Sequence, residues 1–399
     1  MIDIRAARHE PERFRAALAR KGAAEHFDRL LEADRRWLAL VPRVDELRAE
    51  TKLKGRPTPE QLEQLRSIKD ELRRAEEELA AVEAERDQLA LRVPNPPHES
   101  VPDGDSEDDA VEIRREGDPP ALEQPRGHVE VGRFDMERAA RISGARFGYW
   151  IGDTALLALA LYRLALDRLV AKGFVVVLPP VLVREEALVG TGWFPSDDPN
   201  VYQIADDDLY LAGTAEIPVG GLHLGEILQE DDLPLRYAGF SPCFRSEAGA
   251  AGRDTRGMIR VHQFNKVEQF AFTRPEDSWD EHERLLANTE EIVRELGLPY
   301  RTVVLPAGDM STASAKTYDV EIWFPAQGRY RETASISNTT DFQARRLGTR
   351  VRGERGLEPV HTLNGTAVVD RMALAVLENF QGDVPEALRP YGAPERIRA

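Results

Sequence analysis

Between Cys243 and Gly257 the chain reads CFRSEAGAAGRDTRG, in which small residues separate Arg245, Arg253 and Arg256, and Arg260 follows closely. A glycine-rich loop lined with guanidinium groups can clamp a polyphosphate or a carboxylate, because each planar fork meets two oxygens at fixed geometry. The alternative is a polar surface hairpin, and four arginines within 16 residues favour the anionic ligand. Beyond the loop, residues 258–268 read as a strand. Glu332 and Ser335, within RETASISN, offer hard oxygen donors of the kind magnesium takes. Alternation along that strand sets Glu332 on one face with Ala334 and Ile336. Thr214-Ala215-Glu216 reads by itself as a helix N-cap followed by an acid in the first turn. Asn364-Gly365-Thr366 leads to Arg371 and onward to Leu377-Glu378-Asn379. His223, His262 and His361 lie beside apolar residues with no second His or Cys at metal-ligand spacing, so they read as structural. Cys243 reads as a small packed hydrophobe.

These groups have to be held by regular elements. From about residue 125, short β-branched or apolar runs at 174–178, 209–211, 260–272, 301–305 and 318–324 alternate with amphipathic stretches near 154–172, 278–297 and 366–380. Strands that often follow one another without an intervening helix predict an antiparallel sheet with flanking helices, an α+β layout.

The amino-terminal quarter has a different rhythm. Residues 28–53 are rich in Ala, Leu, Arg and Glu, and Trp37, Leu40, Val44 and Leu47 recur at the spacing of one helical face. Leu65, Ile68, Leu72, Ala75, Leu79, Val82 and Leu89 fit positions a and d of a heptad, with Arg86 standing where an apolar residue is due. Between the runs, Gly55 can stop the first helix, while Thr58, Pro59 and Gln61 supply an N-cap, a first-turn proline and a capping-box partner. The expected product is an antiparallel helical hairpin, a coiled coil over residues 28–92. Pro42 should kink its first helix, and a second helix of about 50 Å should project beyond a compact domain. One reading of such a hairpin is a dimerisation or spacer coiled coil. In another its tip meets a phosphate backbone, since LRAETKLKGR carries Arg48, Lys52, Lys54 and Arg56 against Glu50. The Pro-, Gly-, Asp- and Ser-rich run after Leu91 reads as a linker, separating an N-terminal domain, 1–104, from a second, 105–399.

The 399 residues include 53 Lys+Arg and 70 Asp+Glu, a net charge of −17. That acidity excludes coating nucleic acid by general electrostatics, so only a locally basic surface could bind RNA. A single cysteine excludes an internal disulfide and a two- or four-cysteine zinc site. No apolar run approaches the ~20 residues of a membrane span, and the charged amino terminus has no apolar core for a signal peptide. A cytoplasmic protein without membrane attachment is expected.

Taken in order, these segments resemble the class II aminoacyl-tRNA synthetases in their seryl form. Residues 243–270, CFRSEAGAAGRDTRGMIRVHQFNKVEQF, resemble motif 2, and GFVVVLPPVLV at 173–183 resembles motif 1. GTAEIP at 213–218, KTYDVEIWFPAQGRYRETASISNTTDFQARR at 316–346, and HTLNGT with LENFQ at 361–381 are similar to further blocks of the family. PNPPHESVPDG and the hairpin before it are similar to the seryl enzymes' tRNA-binding arm, so the resemblance covers essentially the whole chain. Ordered segments of this kind are far more specific than a lone motif.

The resemblance implies an antiparallel-sheet class II catalytic domain that joins L-serine and ATP into seryl-adenylate and pyrophosphate. The seryl group then passes to the 3′ end of tRNA(Ser), in a homodimer built on motif 1. The catalytic set it implies is Arg245, bridging substrate carboxylate and α-phosphate, Arg371 on the distal phosphates, and Glu332, which with Ser335 matches the positions that hold Mg2+. Glu247 matches a further ATP contact and Phe264 the ring that stacks on adenine. Thr214, Glu216, Arg245, Glu268, Asn364 and Thr366 match the serine pocket, and tRNA contact falls to Arg48, Lys52, Lys54 and Arg56. Zinc is not expected, because the zinc-dependent seryl subtype needs cysteine ligands this chain lacks. Two departures are visible: NGTAVVDR, from Asn364 to Arg371, is one residue shorter than the family's pattern, and the hairpin tip is short.

Two other functions compete. One is a synthetase-like paralogue that activates serine or another small amino acid for a carrier protein, a biosynthetic pathway or antibiotic self-resistance. The basic-tipped arm counts against it, because carrier-protein ligases of this type resemble enzymes without the arm. The other is a non-catalytic RNA-binding or regulatory protein on a dead synthetase domain, which predicts loss of Arg245 or Glu332, and both are present.

Overall fold

The computed structural model describes residues 1–52, 58–196, 200–247, 257–353 and 356–398, which divide into two compact units, Met1–Pro96 and Pro97–Ala399. In the first, helices α1 (Ala24–Glu50) and α2 (Pro59–Arg92) form the expected antiparallel hairpin. Val44, Leu47 and Ala75 are buried between them with Ile68, Leu72 and Leu79 against them, the packing that a heptad seam dictates. At the heptad break the Arg86 guanidinium lies over the Trp37 ring, 4.3 Å from its centroid, so the charge faces an aromatic quadrupole instead of an aliphatic seam. Thr58 Oγ1 accepts from the Gln61 N–H at 3.3 Å and Gln61 Oε1 accepts from the Thr58 N–H at 2.8 Å, which completes the capping box with Pro59 at the first helical position. The first helix runs unbroken through Pro42. Gly55, expected to stop it, lies outside the described residues. At the base of the hairpin, Phe27, Leu30, Leu89 and Val93 pack with Leu18 of a short preceding helix.

The largest sheet among the described residues of the second unit has eight strands. In chain order they are β1 (Val111–Glu116), β2 (Val175–Val177), β3 (Leu235–Phe244), β4 (Gln263–Thr273), β5 (Tyr300–Val304), β6 (Lys316–Phe324), β7 (Arg329–Asn338) and β8 (His361–Val369). Their spatial order is β1-β5-β6-β7-β8-β4-β3-β2, antiparallel throughout except for the parallel β2–β3 pair at one edge. Helices α3 (Asp153–Ala171), α4 (Ser278–Glu295) and α5 (Asp370–Phe380) supply Leu161, Leu285 and Leu377 to a core shared with Val267, Val320 and Ile336 of the sheet. Burial of these apolar side chains, worth roughly 25 cal/mol per Å², holds the helices to one face and leaves the other for the site.

Three expectations need correction. The amphipathic stretch 366–380 is not one element: β8 continues to Val369 and α5 begins at Asp370. Val111–Glu116, read as part of a linker, is an edge strand paired with β5; its charged, exposed side chains suit an edge rather than a core. Glu332 does not share a face with Ala334 and Ile336. In the β6–β7 ladder Val320 pairs with Ala334 and Glu321 with Glu332, so Thr333 is an extra, bulged residue. The bulge resets the alternation, leaving Ala334 and Ile336 in the core while Glu332 turns to the face that carries Ser335 and Ser337. A second bulge, at Ala367 of β8, lies where Val267 pairs with Val368 and Glu268 with Thr366.

Candidate active site

The sheet face opposite the helices forms the floor of a cleft of about 330 Å³. These candidate residues of the second unit line it: Thr214, Glu216, Arg245, Glu247, Phe264, Glu268, Glu332, Ser335, Asn364, Thr366 and Arg371. Of the tip residues, Arg48 is engaged by Glu76 at 2.9 Å and Asp45 at 3.6 Å, and Lys52 is exposed. Lys54 and Arg56, like Arg253 and Arg256 of the glycine-rich loop, lie outside the described residues.

Arg245 follows directly on β3. Its guanidinium carbon lies 5.3 Å from the Phe264 ring centroid and 5.8 Å from that of Trp193, and its Nε donates to the Gly213 carbonyl at 3.3 Å. Two bonds hold the segment: the Arg245 N–H donates to the His262 carbonyl, and the ring Nδ1 of His262 donates to the Arg245 carbonyl, both at 2.9 Å. That is the structural role expected of His262. Glu247, in the left-handed region at φ +51°, pairs with Arg260, and its N–H donates to Asn200 Oδ1 at 2.6 Å. Where the chain re-enters, the Met258 N–H donates to His128 Nε2 at 3.0 Å, and His128 Nδ1 donates to Glu378 of α5 at 2.7 Å. Gly257, at φ +74°, admits this approach, because a Cβ there would stand 2.5 Å from His128 Nε2.

At one end of the cleft is a small polar pocket. Lys266 and Glu268, two residues apart on β4, share a face and form an ion pair. Thr214 Oγ1 donates to Glu268 at 3.4 Å and accepts the Glu216 N–H at 3.1 Å, so Thr214 acts on the first turn of the helix Glu216–Gly220 although Ala215 is its cap residue. Glu216 Oε1 accepts from Gln343 Nε2 at 2.8 Å and from Asn364 Nδ2 at 3.1 Å. Burial, reinforced by the Glu268 carboxylate, pushes the Glu216 carboxyl up to about 7. The pocket is thus built to receive a cation and a hydroxyl. Lys266 and Gln343 carry no role from residue type alone; the period-two spacing of Lys266 and Glu268 is the one signal there for their pairing.

At the other end Arg371, at the start of α5, donates to the Glu332 carbonyl and to the Ile259 carbonyl at 3.4 Å, with the Glu332 carboxylate at 3.7 Å. Asp319, the cross-strand partner of Ser335, is buried, and its Oδ1 has no hydrogen-bond partner. Burial and the neighbouring Glu332 hold the Asp319 carboxyl well above the usual carboxylate range. Oxygen donors crowded in this way fit a hard cation completed by ligand oxygens. Among the described residues no group of three or more His, Cys, Asp or Glu side chains is disposed to hold an ion alone. Cys243 is buried, as a packed hydrophobe should be.

An antiparallel sheet backed by helices, with an arginine-lined cleft on its open face, defines a class II aminoacyl-tRNA synthetase core. Residues 200–380 match the tRNA synthetase class II core domain (G, H, P, S and T), and residues 1–97 match the seryl-tRNA synthetase N-terminal domain. The chain is 46% identical to a serine–tRNA ligase of Thermobifida fusca over 98% of its own length and 97% of the relative's. It is similar to the seryl-tRNA synthetase of Pyrococcus horikoshii complexed with ATP, with a TM-score of 0.94, 40% identity and coverage of 100% and 99% of the two chains. A cytoplasmic serine–tRNA ligase from Naegleria fowleri in complex with AMP matches with a TM-score of 0.88 and 32% identity over 97% of this chain and 95% of that one. The chain belongs to the seryl-tRNA synthetase family.

Proposed function

We propose that the chain activates L-serine with ATP to give seryl-adenylate and pyrophosphate, and then passes the seryl group to the 3′-terminal adenosine of tRNA(Ser). The observation that carries this reading is the meeting, in one cleft, of the Thr214–Glu216–Glu268 pocket with Arg245, Phe264 and Arg371. Glu216 takes the serine ammonium, and Glu268 takes the hydroxyl with Thr366 and Asn364 closing the pocket. Alanine, lacking the hydroxyl, would leave Glu268 short of a donor, which is how a small pocket rejects a substrate of similar size.

Arg245 holds the serine carboxylate against the α-phosphate, so attack proceeds from a fixed approach and the developing negative charge meets a guanidinium already in place. Phe264 stacks on adenine, Glu247 contacts ATP, and Arg371 binds the polyphosphate. Glu332 and Ser335 would hold Mg2+, which when bound supplies positive charge to the phosphates.

The hairpin tip, with Lys52, Lys54 and Arg56, contacts tRNA phosphates, while Arg48 is engaged by acids of its own hairpin. A homodimer is supported by exposed apolar side chains on α3 and around β2, among them Leu156, Leu159, Val175 and Leu178. Among the described residues no helix is long and apolar enough to cross a membrane. The likeness to serine–tRNA ligases, one of them named as cytoplasmic, supports a cytoplasmic location. The test is a pair of assays on one preparation: serine-dependent ATP–pyrophosphate exchange, then transfer of labelled serine to total tRNA. Both should occur. Exchange without transfer would favour the carrier-protein paralogue, and failure of both would overturn the reading.

A further inference from the structure

We infer that Asp370 is a positioning residue for ATP, because its carboxylate ties together the two sides of the cleft that carry Phe264 and Arg371. The inference rests on the assignment of those two residues to the nucleotide. Asp370 Oδ2 accepts the backbone N–H of Asn265 at 3.1 Å, and Oδ1 accepts the Tyr162 hydroxyl of α3. Asn265 is the immediate neighbour of Phe264 on β4, and Asp370 the immediate neighbour of Arg371 at the start of α5.

The geometry has a clear origin. The β4–β8 ladder ends at the Lys266–Val369 pair, because the chain turns into α5 at Asp370. The Asn265 N–H beyond the last rung takes a side-chain oxygen in place of a strand carbonyl. A carboxylate there also favours the first turn of α5 through the helix dipole.

Tyr162 and Asp370 are both buried, and no ion pair reaches Asp370 among the described residues. Burial pushes the Asp370 carboxyl up to about 7, against the pull of the Asn265 N–H. An uncompensated acid in such a place is a burden on folding, which makes its bridging geometry the more telling. The Tyr162 ring packs at 5.1 Å from that of Phe240, which leaves its hydroxyl a fixed reach. Losing the bridge would free the Phe264–Asn265 segment from the start of α5, and the nucleotide would meet its two contacts at a variable separation.

The test measures KM for ATP and for serine separately, by pyrophosphate exchange on the full chain, alongside the melting temperature. Asp370→Ala should raise KM for ATP by about ten-fold, as expected for a lost hydrogen-bond pair to a charged group, with KM for serine within about two-fold. Asp370→Asn, which has one oxygen for two donors, and Tyr162→Phe, which keeps the carboxylate, should each fall in between, at about three-fold. If the ATP and serine constants move together, or only the melting temperature falls, the inference is overturned. Should Asp370→Ala fail to fold, Tyr162→Phe and Asp370→Asn decide the matter by the same split. Phe264→Ala and Arg371→Ala serve as controls: unchanged ATP constants in both would sink the site assignment itself, a result distinct from failure of the Asp370 bridge.

Discussion

Glu216 and Glu268 occupy the same pocket, yet the ion pair with Lys266 goes to Glu268, while Glu216 is held by two amides. Burial, with the Glu268 carboxylate beside it, leaves Glu216 titrating near neutrality. Protonated, it cannot hold an ammonium, so KM for serine should climb as pH falls below about 7, and Glu216→Gln should be weaker and flatter with pH. The folded-state value lies above the ordinary 4.5, so between about 4.5 and 7 the folded chain holds a proton that the unfolded chain has released, and stability falls as pH rises through that window. Glu216→Gln should accordingly gain in melting temperature relative to the wild type at pH 8 and lose that advantage near pH 5. A serine KM independent of pH would remove Glu216 from substrate binding.

Arg245→Ala should abolish adenylate formation, by at least about a thousand-fold in pyrophosphate exchange, if its charge stabilises the transition state. Arg245→Lys should fail too, because an ammonium cannot reproduce the planar fork. The melting temperature should barely change, since the side chain makes one 3.3 Å bond to the Gly213 carbonyl. Near-normal exchange in either variant would refute the role given to Arg245.

The Thr333 bulge can be probed by two variants. Thr333→Ala loses one bond to the Val320 carbonyl, at 3.0 Å, and should cost about 1 kcal/mol while exchange persists. Deleting Thr333 removes the extra residue while Glu321 can still face Glu332, and plain alternation then sets Glu332 and Ser335 on one face, so exchange should persist there too. Loss of exchange in the deletion variant alone would mean that the bulge itself, and not the shared face, places Glu332.

Part of the cleft lining can be named from the sequence: Arg245 and Arg260 stand out by residue type, and Glu216, Glu268, Asn364 and Thr366 through the resemblance alone. What escaped depended on geometry. Alternation puts Glu332 on the wrong face because a bulge leaves no mark in an alternating pattern. LRYAGFSPCF hid the long strand β3, since Gly239 and Pro242 read as breakers, yet Pro242 pairs with Asn265 inside the ladder. VEIRRE was submerged by the prolines and aspartates around it. Asp370 resembled an ordinary first-turn acid, and only the arrival of Tyr162 from more than two hundred residues away reveals its burial. The hairpin, whose contacts are local and periodic, was by contrast nearly complete in the sequence, capping box included.

Replacing Lys52, Lys54 and Arg56 together by Ala should weaken tRNA binding and reduce the slope of log K against log salt by about two to three, the expectation for three lost phosphate contacts. Pyrophosphate exchange without tRNA should be unchanged. Equal loss of exchange would show that these residues support something other than tRNA.

The Arg86–Trp37 contact makes the hairpin a ruler. A seam of interchangeable aliphatic side chains can slide by a whole heptad at small cost, and the tip would then stand at more than one distance from the base. Sliding by seven residues would press the Arg86 charge against Leu30 or Val44, both fully buried. One polar position in an apolar repeat therefore calibrates how far out the basic tip is carried.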